Sequence, residues 1–133
     1  MTERAPVVVS LPIADRRRSN DFYRALLGRE PFGAPADDGV PEPLQFALND
    51  GVTLMLVPSD GFAWVIGVPD VAEPGVNECV VSLTVADEEA VAAYVDRARA
   101  AGGTVVREPV DKGWGFHGLV ADLDGHLWMI TVG

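Results

Sequence analysis

At 133 residues, with 48% apolar side chains and a mean hydropathy of +0.16, the chain suits one packed domain and excludes a disordered one. A formal charge of −10 and a pI near 4.4 oppose a phosphate backbone, so no nucleic acid partner is expected. No apolar run approaches the ~20 residues of a membrane span, Met1-Thr2-Glu3-Arg4-Ala5-Pro6 does not open a signal peptide, and the single Cys79 forms no internal disulfide and fits a reducing cytoplasm.

Residues 7–13 are apolar and β-branched and read as a strand. Asp15 is placed to cap a helix over Arg16–Leu27, where Ser19, Phe22, Tyr23, Leu26 and Leu27 recur at helical spacing. Gly28 suits its end. Arg16, Arg17 and Arg18 fall in the first turn, where the helix dipole disfavours cations, and are expected on a solvated face. Residues 33–43 are rich in Pro, Asp and Gly and read as a loop. Strands follow at 44–48 and 52–57, joined by the hairpin signal Asn49-Asp50-Gly51. Residues 58–77, with three prolines and three glycines, read as a linker, and their Phe62, Trp64, Val65 and Ile66 are expected to pack on something. Glu78–Val85 is the next strand, with Cys79 read as a buried thiol at its start. Asp87 is placed to cap a helix from Glu88 to about Ala101, whose buried stripe is Val91, Tyr94, Val95 and Ala98. Gly102-Gly103 stops it. Strands at 104–108, 116–122 and 127–132 complete the chain, the last two joined by Leu123-Asp124-Gly125.

Much of this is said twice. Val8-Val9-Ser10-Leu11-Pro12-Ile13-Ala14-Asp15 returns 72 residues later as Val80-Val81-Ser82-Leu83-Thr84-Val85-Ala86-Asp87. Asp50-Gly51-Val52-Thr53-Leu54-Met55 returns as Asp124-Gly125-His126-Leu127-Trp128-Met129. Two copies make no solenoid. They predict an α+β fold of two repeated βαβββ modules, whose curved mixed sheets enclose a cleft. The first module is expected at 6–57, the linker at 58–77 and the second module at 78–133.

Period-two alternation assigns the strand faces. It places Val8, Ser10, Thr53, Met55, Val80, Ser82, Met129 and Thr131 in the cleft, with Val9, Leu11 and Ile13 under the helices. A lining of apolar groups and a few hydroxyls suits a flat or aromatic organic molecule. Trp64 and Trp114 lie outside the repeated strands; each is a candidate to stack on a ligand, to pack in the linker or to make a dimer contact. His117 is the candidate general base, if its strand turns it inward. His126 reads as a turn-end surface residue.

The order of elements resembles the vicinal oxygen chelate superfamily of glyoxalases, bleomycin-resistance proteins and extradiol dioxygenases. The residues that carry the resemblance are Leu11-Pro12-Ile13-Ala14-Asp15 with Ser19 and Phe22-Tyr23, Ala101-Gly102-Gly103, Arg107-Glu108-Pro109, and Asp122-Leu123-Asp124-Gly125-His126-Leu127-Trp128. They are similar to a branch labelled predicted lactoylglutathione lyase. The resemblance implies a glyoxalase-like fold and a homodimer. In metal-dependent members each half supplies two ligands, His or Gln on the first strand and Glu on the last. Carried over, those positions are Val8, Met55, Val80 and Met129. Valine has no donor atom, and a thioether is too soft for the divalent ions these enzymes use. No metal and no cofactor are therefore expected.

The leading reading is a metal-free protein that binds and sequesters a small aromatic or cationic compound. The alternative is a glyoxalase-type lyase or isomerase, or another metal-dependent enzyme of the superfamily. A third is an interaction module or remnant whose cleft is filled by its own side chains, such as Met55 and Met129. Fold alone does not choose among these.

Overall fold

Asp15 and Asp87 start two helices in the same way. In the computed structural model, which describes residues 6–68 and 70–133, the Asp15 carboxylate accepts the Arg18 amide at 3.0 Å and the Asp87 carboxylate accepts the Ala90 amide at 2.8 Å. Each aspartate satisfies one of the orphan donors at a helix N-terminus. The first helix, α1, runs Arg16–Leu27 and closes on Gly28, whose φ of 65° is the left-handed conformation glycine adopts without strain. Helix α3 runs Glu88–Ala100, with Glu88 and Glu89 in its first turn and Arg97 and Arg99 in its last, as the dipole favours. The reading of the first five residues as free of a signal segment lies outside the described residues.

By its contacts the chain forms two units, one running to Arg24 and from Gly28 to Val71, the other of Ala25–Leu27 and Ala72–Gly133. The first unit holds β1 (Val7–Ile13), β2 (Leu44–Asn49), β3 (Val52–Pro58) and α2 (Ser59–Ile66). Its sheet has the order β1-β3-β2, with β1 parallel to β3 and β2 antiparallel to it. Leu11, Ile13, Leu44, Phe46, Leu54 and Leu56 are buried on one face, where Tyr23 of α1 meets Phe46 at 6.0 Å between rings. Phe22 meets Tyr23 edge to face at 5.1 Å.

The second unit holds β4 (Val80–Val85), β5 (Thr104–Asp111), β6 (Phe116–Ala121) and β7 (Leu127–Val132), in the order β4-β7-β6-β5. Its first and last strands again pair in parallel, Val80 with Leu127 and Ser82 with Met129. Helix α3 covers one face, burying Val91, Val95 and Ala98 there. Gly118 sits beneath it with no room for a side chain: a Cβ there would lie 2.6 Å from Val95 Cγ2. At the edge, Arg99 grips both oxygens of Glu108 at 2.6 Å and also bonds Asp96. The buried Asp122 organises the β6–β7 turn, accepting the Asp124 and His126 amides at 2.9 and 2.8 Å.

Four expectations need correction. The second module is βαβββ as expected, but among the described residues the first has a three-stranded sheet. Where a further strand would lie there are only the isolated bridges Phe32–Gln45 and Pro35–Pro41. Pro31, Pro35, Pro41 and Pro43 lack the amides a ladder needs. The stretch read as a linker begins with helix α2, in which no residue is buried. Arg16 is not on a solvated face: its guanidinium donates to the Val40 and Pro41 carbonyls, both at 2.8 Å, and pairs with Asp38. It fastens the 36–42 loop to the start of α1, which offsets its unfavourable place in the dipole. Cys79 is exposed, because β4 begins at Val80 and the thiol lies beyond the last paired residues.

Two predictions follow from this packing. Gly118→Ala drives a methyl into a buried, stiff valine and is expected to cost about 1–3 kcal/mol, read as a lowered denaturant midpoint with an unchanged m-value. The Arg16 hydrogen bond, with the Val40 amide, holds Asp38 below the ordinary carboxylate value of 3.8. A depressed folded value stabilises the fold above the unfolded one and is lost as pH falls through the folded value. The Tm gap between wild type and Arg16→Gln should therefore narrow below about pH 3.8. It should not close, because the two carbonyl contacts do not titrate.

Candidate functional site

Strand pairing sorts the candidate residues without ambiguity, because paired residues in a ladder point to the same side. In the first unit, Val8 pairs with Thr53, Ser10 with Met55 and Pro12 with Val57, on the face away from Tyr23 and Phe46. Gln45 and Ala47 of β2 join them, opposite Met55 and Thr53. Thr53 is buried on that face, while Val8 and Ser10 are exposed. In the second unit, Val80, Ser82 and Thr84 of β4 pair with Leu127, Met129 and Thr131 of β7. His117 and Leu119 of β6 lie opposite Thr131 and Met129. All are on the face away from α3, because Gly118, Val120, Trp128 and Ile130 alternate with them and are buried.

The two units present the same row of positions. In the first it runs Phe32, Gln45, Met55, Ser10; in the second it runs Arg107, Leu119, Met129, Ser82. Serine and methionine recur and the other two positions differ. Val8, Met55, Val80 and Met129 thus lie on the faces that α1 and α3 leave uncovered, with Gly61 of α2 against Val57 at one end of the first. Their donor set, two thioethers and no imidazole or carboxylate, does not fit a divalent cation. Among the described residues no group of three or more His, Cys, Asp or Glu side chains converges to hold a metal ion.

His117 is fully buried yet lies on the face of Met129 and Thr131. Arg107 Nη1 is 2.9 Å from its Nε2, and Nδ1 is 3.1 Å from the Gly115 carbonyl. A guanidinium only donates, so Nε2 is the acceptor and Nδ1–H donates to Gly115. Trp114 covers the ring, stacked at 4.0 Å and 25° while remaining 60% exposed. A general base needs a lone pair aimed at substrate, and here that lone pair is held by Arg107. Trp64, 84% exposed on α2, has no such ring partner among the described residues. His126 is half-buried and its amide is tied to Asp122.

The Arg107–His117–Trp114 cluster was not readable as a unit from sequence. The signal was present in part: Arg107 and His117 lie ten residues apart on strands a short turn joins. Two irregularities in the β5–β6 register, between Val105 and Val110, hide which residues face each other.

Several solved structures share this architecture. The hypothetical protein SA1046 from S. aureus is 26% identical, with a TM-score of 0.80, covering 100% of this chain and 96% of that one. A glyoxalase-related enzyme from Fulvimarina pelagi is 28% identical, with a TM-score of 0.83, covering 99% and 89%. TnmS3, an antibiotic binding protein from Streptomyces sp. CB03234, is 24% identical, with a TM-score of 0.65, covering 99% and 98%. No curated protein matches the chain significantly. Residues 6–130 match the model of the Glyoxalase/Bleomycin resistance protein/Dioxygenase superfamily, and the chain belongs to that superfamily.

Proposed function

We propose that this protein binds a small organic molecule, aromatic or cationic, without a metal ion, and acts by sequestering it. The observation that carries the reading is the chemistry of the uncovered sheet faces. Val8, Met55, Val80 and Met129 stand at the positions the resemblance gives to metal ligands, and Ser10, Thr53, Ser82 and Thr131 add only hydroxyls. Such a surface binds by area and a few oriented hydrogen bonds, which is what sequestration requires. TnmS3, described as an antibiotic binding protein, has the same fold. In this reading the modules at 6–57 and 78–133 each present such a face, Trp64 and Trp114 are ligand contacts, and the protein is a cytoplasmic homodimer. No helix among the described residues is long and apolar enough to cross a membrane.

A second reading is favoured by one relative, the glyoxalase-related enzyme from Fulvimarina pelagi. It makes the protein a lactoylglutathione-lyase-like enzyme. The donor chemistry opposes it, and so does the engagement of both His117 nitrogens.

Native mass spectrometry of freshly purified protein separates the two. The expected spectrum shows a dimer with no divalent metal, before and after incubation with zinc, nickel or manganese, and no turnover of the methylglyoxal–glutathione adduct. One metal ion retained per chain, together with turnover, would sink the binding reading in favour of the enzyme.

A further inference from the structure

Arg107 is an unspent cation in a chain with a net charge of −10. Its one hydrogen-bond acceptor is the imidazole of His117, which is neutral in this tautomer, and no carboxylate lies within ion-pair distance among the described residues. The neighbouring Glu108 is turned to the other face, where Arg99 holds both its oxygens. A guanidinium carries five donors in a planar fork, and His117 uses one. That bond also orients it: the Gly115 carbonyl fixes the imidazole from behind and Trp114 fixes it from above. An oriented fork with free donors is built for a planar anion, above all a carboxylate.

The surface beside it sets the rest of the ligand. Arg107 pairs across the sheet with Leu119, Leu119 with Met129, and Met129 with Ser82. Neighbouring strands are about 4.8 Å apart, so the step from Arg107 to Met129 is roughly 10 Å. Leu119 and Met129 are half-buried and leave an apolar floor. A thioether and a leucine make favourable contacts with a flat ring. Ser82, exposed, ends the row with a hydroxyl.

We infer that the second unit binds a flat aromatic carboxylate, its carboxylate on Arg107 and its rings over Leu119 and Met129. This rests on the small-molecule reading and narrows it, replacing the cation that the chain's overall acidity suggests. Charges beyond about 8 Å are screened at physiological salt, so the nearest charge decides. The length matches a two-ring acid.

Isothermal titration calorimetry with three probes tests it: 2-naphthoate, its neutral amide 2-naphthamide, and 2-naphthylmethylammonium. Naphthoate is expected to bind about tenfold tighter than the amide, the scale of a charge-assisted hydrogen bond, and the ammonium weakest. Arg107→Gln keeps a donor for His117 but removes the charge and should abolish the preference while sparing the amide. Arg107→Lys keeps the charge without the fork and should retain part of it, so the test stands even if the glutamine variant fails to fold. Equal binding of naphthoate and amide, a preference that survives Arg107→Gln, or no binding of any probe overturns the inference. If the amide or the ammonium binds instead, the wider reading survives; a retained metal ion would fell that reading separately.

Discussion

The parallel pairing of the first strand of each unit with its last governs what the rest of the sheet can present. A parallel pair cannot be closed by a tight turn, so a helix and further strands must lie between. The helix then covers one face, and right-handed chirality leaves little choice of which. Pairing also fixes register. Once Ser10 lies beside Met55, and Ser82 beside Met129, a slip of one residue would carry Leu54 and Leu56, or Trp128 and Ile130, out of the core. The burial that stabilises each sheet is therefore what holds the uncovered face in its arrangement.

Polar chemistry is confined to the edges of this scheme. Asp15, Asp87 and Asp122 each take up backbone amides where a helix or turn begins, and Arg16 takes up two loop carbonyls. On the strands the exceptions are Thr53, a buried hydroxyl on β3, and His117, a buried imidazole near the start of β6. The two imidazole nitrogens are satisfied by groups of opposite character, a carbonyl and a guanidinium, which selects one neutral tautomer. Trp114 completes the arrangement from the β5–β6 turn, and Gly113 and Gly115 on either side of it, at φ of 91° and 148°, allow the chain to fold back there.

The fold class was legible because its signals are local and repeated: apolar alternation, two capping aspartates and two Asp-Gly turns. The parts that were missed depend on contacts distant in sequence. Helix α2 lacks a polar face, so Phe62-Ala63-Trp64-Val65-Ile66 shows no period. Arg16 looks wrong for a helix start until Val40 and Pro41 are seen beside it, 24 and 25 residues away. Alternation sorted the strand residues between faces but could not bring Arg107 to His117 across an irregular register. Nor could it show that Thr53 is buried on the face it shares with the exposed Val8.

Comparison of the two rows shows where the repeats have diverged and why that is tolerated. Serine and methionine occupy the strands paired in parallel along one side of each sheet, and neither contributes to the helix-covered core. The differences, Phe32 for Arg107 and Gln45 for Leu119, fall toward the other edge. Side chains on a face turned away from the helix carry little of the packing, so their exchange costs little stability. It changes the chemistry of the face instead: one row ends in an exposed aromatic ring beside an amide, the other in a cation beside an apolar floor. The same register thus gives two surfaces of different polarity from one duplicated plan. The two surfaces differ at residues 32, 45, 107 and 119, which the folding signals of the repeat leave free to vary.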